Sequence, residues 1–322
     1  MRVRILSSAD VAAVVDMPAA VEAMRGAFAA LSSGDAEVPL RLALETPGGV
    51  ALFMPGHIRS TGATAAKVVT VHPGNAARAL PVIHAAVLVL DADTGRLLAL
   101  MDGTYLTALR TGAAGGLAAD VLARPDASVV ALFGSGVQAR TQLEAVRCVR
   151  PVEEVRIVSL SEASARALAE EQEGVDVRVV ADPAEALRGA DLVVTATDSA
   201  TPVFDGALVE PGAHVTGVGS YKPEMREVDT TLVRRARVFV DQREAALAEA
   251  GDLAGPIADG AVDPDVVVGE LGEVVAGRVA GRTSDDQITF FKSVGNAVQD
   301  VAVAARVLAA AEREGRGVVV EL

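Results

Sequence analysis

Val129-Val130-Ala131-Leu132-Phe133-Gly134-Ser135-Gly136-Val137-Gln138-Ala139 is a short apolar run, a Gly-x-Gly-x-x-Ala turn, and the start of a helix-forming segment reaching about residue 147. That is the form of a dinucleotide-binding strand, turn and helix. Gly134 permits the tight turn, Gly136 lets the backbone approach a pyrophosphate, and Ala139 lets helix and strand pack closely. The helix N-terminus offers unpaired N–H groups to phosphate. A lone Gly-x-Gly-x-x-Ala carries little weight, but this one has both the strand and the helix that the motif requires.

Outward from that stretch, strands at 129–133, 155–159, 177–180, 192–196, 214–218 and 238–241 alternate with helices at 137–147, 161–171 and 184–187. Such alternation predicts a mostly parallel sheet with right-handed crossovers, a Rossmann-type doubly wound α/β domain. Asp191-Leu192-Val193-Val194-Thr195-Ala196-Thr197 reads as a buried strand ending in a polar tip, where open α/β sheets bind ligands. The first 115 residues differ. An amphipathic helix at 17–31 precedes strand-like runs at 40–45, 50–54, 65–71 and 85–91. A hairpin-type turn at Asp91-Ala92-Asp93-Thr94-Gly95-Arg96 leads into 97–101. An alanine-rich helix at 296–313 and a short strand at 318–320 end the sequence. The expected division is an α+β substrate-binding and dimerisation domain, 1–115 with 300–322, and a dinucleotide-binding domain, 116–299. The Gly-, Asp- and Pro-rich segment 250–266 is the expected mobile loop.

The 322 residues suffice for two domains with substantial cores. No apolar run reaches the ~18 residues of a membrane span, and the first residues lack a signal-peptide pattern. One cysteine, Cys148, excludes an internal disulfide and a cysteine metal cluster. The four histidines lack metal-ligand spacing, so no metal is expected. A net charge of −14 without a basic run argues against nucleic acid or an anionic membrane as partner. A cytoplasmic protein is expected.

Three basic residues could do chemistry. Arg110 opens Arg110-Thr111-Gly112-Ala113-Ala114-Gly115-Gly116, read as the start of a helix, where the dipole favours anions over cations. Either it makes a surface salt bridge, or it and the helix N-terminus hold a carboxylate or phosphate together. Lys67, within Ala65-Ala66-Lys67-Val68-Val69, either snorkels to solvent or faces a closed pocket as a tunable acid. Arg41, between Leu40 and Leu42, has the same two readings.

The chain resembles the ornithine cyclodeaminase/mu-crystallin family over nearly its whole length. The matching stretches are Lys67 in its strand, Asp102-Gly103, Leu106-Thr107-Ala108-Leu109-Arg110-Thr111 and the Gly134–Ala139 motif. Further along they are Pro223-Glu224-Met225-Arg226-Glu227, Glu270-Leu271-Gly272-Glu273-Val274 and Phe291-Lys292-Ser293-Val294-Gly295-Asn296-Ala297-Val298-Gln299-Asp300. The resemblance implies a homodimer. It implies that Arg41 and Arg110 bind a substrate carboxylate and that Lys67 meets the reacting end as the proton-transfer residue. It places the dinucleotide at Arg110, Thr111, Gly134, Gly136, Val137, Gln138, Ser159, Thr197, Val218, Gly219, Ser293 and Val294. True cyclodeaminases carry an aspartate where Tyr221 stands and a lysine where Met225 stands. A tyrosine, with an ordinary pKa of about 10, cannot replace that carboxylate at neutral pH. Val82 and His84 also depart from the threonine and glutamine of many relatives.

The resemblance therefore implies the reductase branch: an NAD(P)H-dependent reductase of a small carboxylate-bearing imino or keto acid, reversible as an amino acid dehydrogenase. The alternatives are a cyclodeaminase using bound NAD and a non-catalytic, mu-crystallin-like ligand-binding protein. The strand end Val158-Ser159-Leu160-Ser161-Glu162 lacks both the acid that selects NAD and the arginine that selects NADP, so either cofactor is compatible.

Overall fold

A computed structural model describes residues 1–322, the side chain of Ala76 excepted. The chain divides into two compact units, Met1–Arg110 with Asn296–Leu322, and Thr111–Gly295.

The first unit begins with β1 (Arg2–Leu6), α1 (Ser8–Val14), α2 (Met17–Ser32), β2 (Ala36–Glu37), β3 (Leu42–Thr46), β4 (Gly49–Ile58), β5 (Ala63–Val71), β6 (Ile83–Leu90) and β7 (Leu97–Asp102). Helix α3 (Gly103–Leu122) carries the chain into the second unit. There follow β8 (Val129–Phe133), α4 (Val137–Val149), β9 (Glu154–Val158), α5 (Glu162–Glu170), β10 (Asp176–Val179), α6 (Pro183–Leu187), β11 (Leu192–Thr195) and β12 (His214–Gly217). Next come α7 (Thr230–Arg235), β13 (Arg237–Val240), α8 (Arg243–Glu249), α9 (Gly251–Ala258), β14 (Val267–Glu270), α10 (Leu271–Val275) and β15 (Thr289–Lys292). The chain then returns to the first unit as α11 (Ala297–Glu314) and β16 (Val318–Glu321).

The first unit is an eight-stranded sheet in the order β16-β1-β7-β6-β5-β4-β2, with β3 on β4. Its pairs are antiparallel except β1 with β7. Helix α11 lies against β4 and β5. At Gly56 the approach is close enough that a Cβ would stand 3.0 Å from Val301 Cγ2. Strand β5 buries Ala65, Lys67 and Val69 in alternation. The period of two puts the lysine on the packed face between two apolar neighbours. Helix α2 is capped by Asp16, which accepts from the Ala19 N–H, and it buries Met17, Ala20, Val21, Met24, Ala27 and Phe28 at helical spacing.

The second unit is an eight-stranded parallel sheet, β10-β9-β8-β11-β12-β15-β13-β14. It is the doubly wound α/β architecture. The strand order reverses between β8 and β11, the switch point where such sheets bind ligands. The strand run of β8 is buried on both faces, as a central parallel strand requires.

Two local expectations are corrected. Helix α3 starts at Gly103, its first turn held by Asp102, whose Oδ1 accepts from the Tyr105 N–H at 2.8 Å. Arg110 therefore sits mid-helix, and no helix N-terminus assists it. The glycines after it serve packing: a Cβ on Gly112 would stand 2.5 Å from Thr141 O, and one on Gly115 would run into Gln142 Oε1. Segment 250–266 is likewise not a plain loop. It contains α9, with Asp252 and Leu253 fully buried, despite the composition that suggested a breaker.

Candidate active site

In the first unit, Lys67 Nζ lies 2.7 Å from Asp300 Oδ2, and both side chains are 1% exposed. Arg110 Nε donates to Asp300 Oδ1 at 3.2 Å, and Arg110 also donates to Gln299 Oε1. Strand β5 presents the lysine, α3 the arginine, and the first turn of α11 the carboxylate and amide. Burial and the neighbouring Arg110 lower the Lys67 pKa to about 8, Asp300 opposes them, and Arg41 adds to the depression. Arg110 and Arg41 thus both act electrostatically on Lys67. On the same stretch of chain as Asp300, at the start of α11, three polar atoms are buried without a protein hydrogen bond: both amide atoms of Asn296, and Gln299 Nε2. Buried polar groups are rarely left so. Two cations share one carboxylate here, which leaves a positive charge that the carboxylate does not balance.

In the second unit the β8–α4 turn fits a pyrophosphate. Gly134 has φ 109°, and a Cβ there would stand 2.5 Å from Ala196 O. Gly136 is different: its φ of −79° suits any residue, and a Cβ would meet no described atom within 4 Å. Nothing within the fold requires glycine there, whereas a group resting on the backbone does. Among the described residues no side chain caps α4, so its first N–H groups remain for a ligand. Val137 stands exposed in that first turn, and Gln138 Oε1 is buried without a partner. Ser159, at the end of β9, hydrogen-bonds through Oγ to Ser135 Oγ at 2.8 Å. Thr111 is buried on α3, its carbonyl accepting from Gln142 Nε2 at 2.7 Å. Glu162 and Arg166 pair with each other on the exposed face of α5.

The remaining expected cofactor positions gather on two buried carboxylates. Thr197 and Gly219 bond to Glu227, and Val218 donates from its N–H to Thr195 O beside them. Ser293 Oγ and the Val294 and Gly295 N–H groups all donate to Asp241 Oδ2, at 2.8, 3.0 and 2.7 Å. Burial raises the Asp241 pKa while these donors pull it back.

The ornithine cyclodeaminase/mu-crystallin family profile matches residues 1–315. The chain belongs to that family. It is 38% identical to the alanine dehydrogenase of Archaeoglobus fulgidus over 304 residues, 94% of each chain. Among solved structures it is 38% identical to Thermococcus litoralis Δ1-pyrroline-2-carboxylate reductase in complex with NADH and L-proline. The match covers 98% of this chain and 100% of that one, with a TM-score of 0.95. An archaeal alanine dehydrogenase dimer with bound NAD is 37% identical over the whole of both chains, with a TM-score of 0.96.

Sequence reasoning did not single out Asp300, Gln299, Glu227, Asp252 or Asp241 as site residues. Two signals were present. Asp300 lies among Val298, Val301, Val303 and Ala304 on the buried face of α11. Lys292 ends the wholly buried Thr-Phe-Phe-Lys strand. An ionisable group on an apolar face needs a buried partner, so each called for one.

Proposed function

We propose that this protein is an NAD(P)H-dependent reductase of small 2-imino acids, supplied as such or formed from a 2-keto acid and an amine. In reverse it is an amino acid dehydrogenase. The observation that carries this reading is Lys67, buried, with its pKa brought to about 8, sharing Asp300 with Arg110. An amine that titrates near neutrality can both give and take a proton at the reacting nitrogen. Arg110 and Arg41 hold the substrate carboxylate, the charge that the shared Asp300 leaves room for. Lys67 polarises the C=N or C=O group and supplies the proton to nitrogen or oxygen. The dinucleotide, when bound, supplies the hydride that reduces the α-carbon. The rest of the task is positioning, which these buried side chains perform without reorganisation.

The reading includes a homodimer. Leu40, Leu42, Leu44 and Phe53 are exposed on and beside the β3–β4 edge, with Leu42 67% and Leu44 55% accessible. Apolar strips of that kind mark interfaces, and the archaeal alanine dehydrogenase relative is a dimer. It also includes a cytoplasmic location, suited to one cysteine in 322 residues. Among the described residues no helix is long and apolar enough to cross a membrane.

The test follows dihydronicotinamide absorbance with NADH and NADPH in parallel. The substrates are pyruvate or oxaloacetate with ammonia, glyoxylate with methylamine, and the cyclic imines pyrroline-2-carboxylate and piperideine-2-carboxylate. Oxidation with one of them is the expected result and fixes the cofactor. Silence with all, together with ammonia release from a diamino acid, would instead mean a cyclodeaminase. Dinucleotide binding with neither activity would mean a binding protein.

A further inference from the structure

Glu227 is fully buried in the second unit and accepts five hydrogen bonds. Oε1 takes the Thr197 N–H at 2.6 Å and the Thr197 hydroxyl at 2.9 Å. Oε2 takes the Thr195 hydroxyl at 2.9 Å, the Gly219 N–H at 2.7 Å and the Ser220 N–H at 3.2 Å. One oxygen serves the segment leaving β11 and the other serves mainly the segment leaving β12, its neighbour in the sheet. The fit is tight: a Cβ on Gly219 would stand 2.0 Å from Thr197 O and 2.5 Å from Glu227 Oε1.

The glutamate is itself held from behind. Its N–H and that of Val228 donate to Asp252 Oδ1 at 2.7 and 3.0 Å. Asp252 Oδ2 pairs with Lys292 Nζ at 2.8 Å, both side chains wholly inaccessible. Lys292 ends β15, the next strand along from β12. The carboxyl ends of three adjacent strands, β11, β12 and β15, are therefore tied through one chain of charges.

Placement on the sheet says which half of a dinucleotide this controls. The adenosine ribose of a Rossmann-type site lies at the end of the second strand, here β9, and the pyrophosphate at the β8–α4 turn. The order β9-β8-β11-β12 puts Glu227's strands up to three spacings from β9, about 14 Å at ~4.8 Å each. We propose that Glu227 is a positioning residue for the nicotinamide end of the site: its carboxylate fixes Thr197 and Gly219, and through them the seat of the reacting ring, and leaves the adenosine half untouched. The proposal rests on the dinucleotide-dependent reading above.

The experiment measures binding of NADH and of ADP-ribose, which lacks the nicotinamide ring, to wild type and Glu227→Gln. A glutamine keeps the length but has one acceptor oxygen, so its NH2 faces the N–H donors of one of the two segments. The expected result is a Kd for NADH raised tenfold or more and a Kd for ADP-ribose changed less than twofold. The reductase turnover should fall with the NADH affinity. Equal losses for both ligands, or no change in either, would overturn the proposal. If Glu227→Gln does not fold, Thr195→Val decides the question, because it removes one hydroxyl donor to Oε2 and preserves shape. It should raise the NADH Kd two- to threefold and leave ADP-ribose alone; an unchanged ratio of the two Kd values overturns the proposal. Wild type that binds neither ligand would overturn the dinucleotide reading itself, and this inference with it.

Discussion

The two units bury charge in opposite ways. In the first, Lys67 and Arg110 share the single carboxylate of Asp300, and the amides of Asn296 and Gln299 beside it have polar atoms with no protein partner. In the second, Glu227 has five donors, and Asp252 takes two N–H groups as well as Lys292. Buried charge costs several kcal/mol unless paired and hydrogen-bonded. In the second cluster every carboxylate oxygen has a donor or a cationic partner within the protein, which suits a scaffold. The first has a surplus positive charge and unused donors, which a carboxylate ligand would complete. Local saturation, more than burial, separates a binding group from a positioning group.

Substituting the centre of the unsaturated cluster should produce the largest effect. Lys67→Ala removes the proposed proton donor and should lower kcat for imine reduction by about 10²–10⁴-fold, the range of general acid–base catalysis. Its dinucleotide Kd should stay within twofold of wild type, because the β8–α4 turn is unaltered. Steady-state rates and a binding titration check both; wild-type turnover in this variant would remove Lys67 from the mechanism.

Arg110→Ala should act next most strongly, and on a different parameter. Charge-assisted hydrogen bonds contribute roughly 1.5–3 kcal/mol, so the substrate KM should rise about 10–150-fold. A substrate whose carboxylate is replaced by an amide should lose this sensitivity. An unchanged KM for the acid would show that Arg110 is purely a partner of Asp300.

The same contrast explains what the sequence disclosed. Period-two and strand–helix alternation reveal the doubly wound sheet because they depend on neighbours a few residues apart. The Gly134–Ala139 turn is legible for the same reason, and so is Lys67 as an odd cation in an apolar run. Ionic partners are not legible this way: Asp300 is 233 positions from Lys67 (300 − 67), and no local pattern joins them. Helix α3 instead starts at Gly103, and Gly112 and Gly115 lie inside it, where they make room for α4. Helix α9 was missed because Pro256 and two glycines suggest a loop, while Asp252 and Leu253 are anchored in the interior. Tertiary packing overrode propensity in both places. The strands β14 and β15 lie outside the strands expected from the sequence, although they are no shorter than β10 to β13.

The smallest predicted effect is the most discriminating, because it reads the charge balance of the first cluster directly. In the proposed mechanism reduction needs Lys67 protonated, so its rate should fall as pH rises through about 8; oxidation needs the neutral amine and should rise through the same pH. Asp300 favours the charged lysine and Arg110 opposes it. Asp300→Asn should therefore move both limbs below 8, and Arg110→Ala should move them above it. Stability follows the same sign. Lys67 titrates near 8 in the folded chain against an ordinary 10.5, so between these values the unfolded chain binds more protons and stability gains with rising pH. Asp300→Asn extends that window downward and Arg110→Ala narrows it from below. The pH profiles of kcat/KM and of Tm test this together. Limbs that move in the same direction in both variants would show that the lysine is not the titrating group.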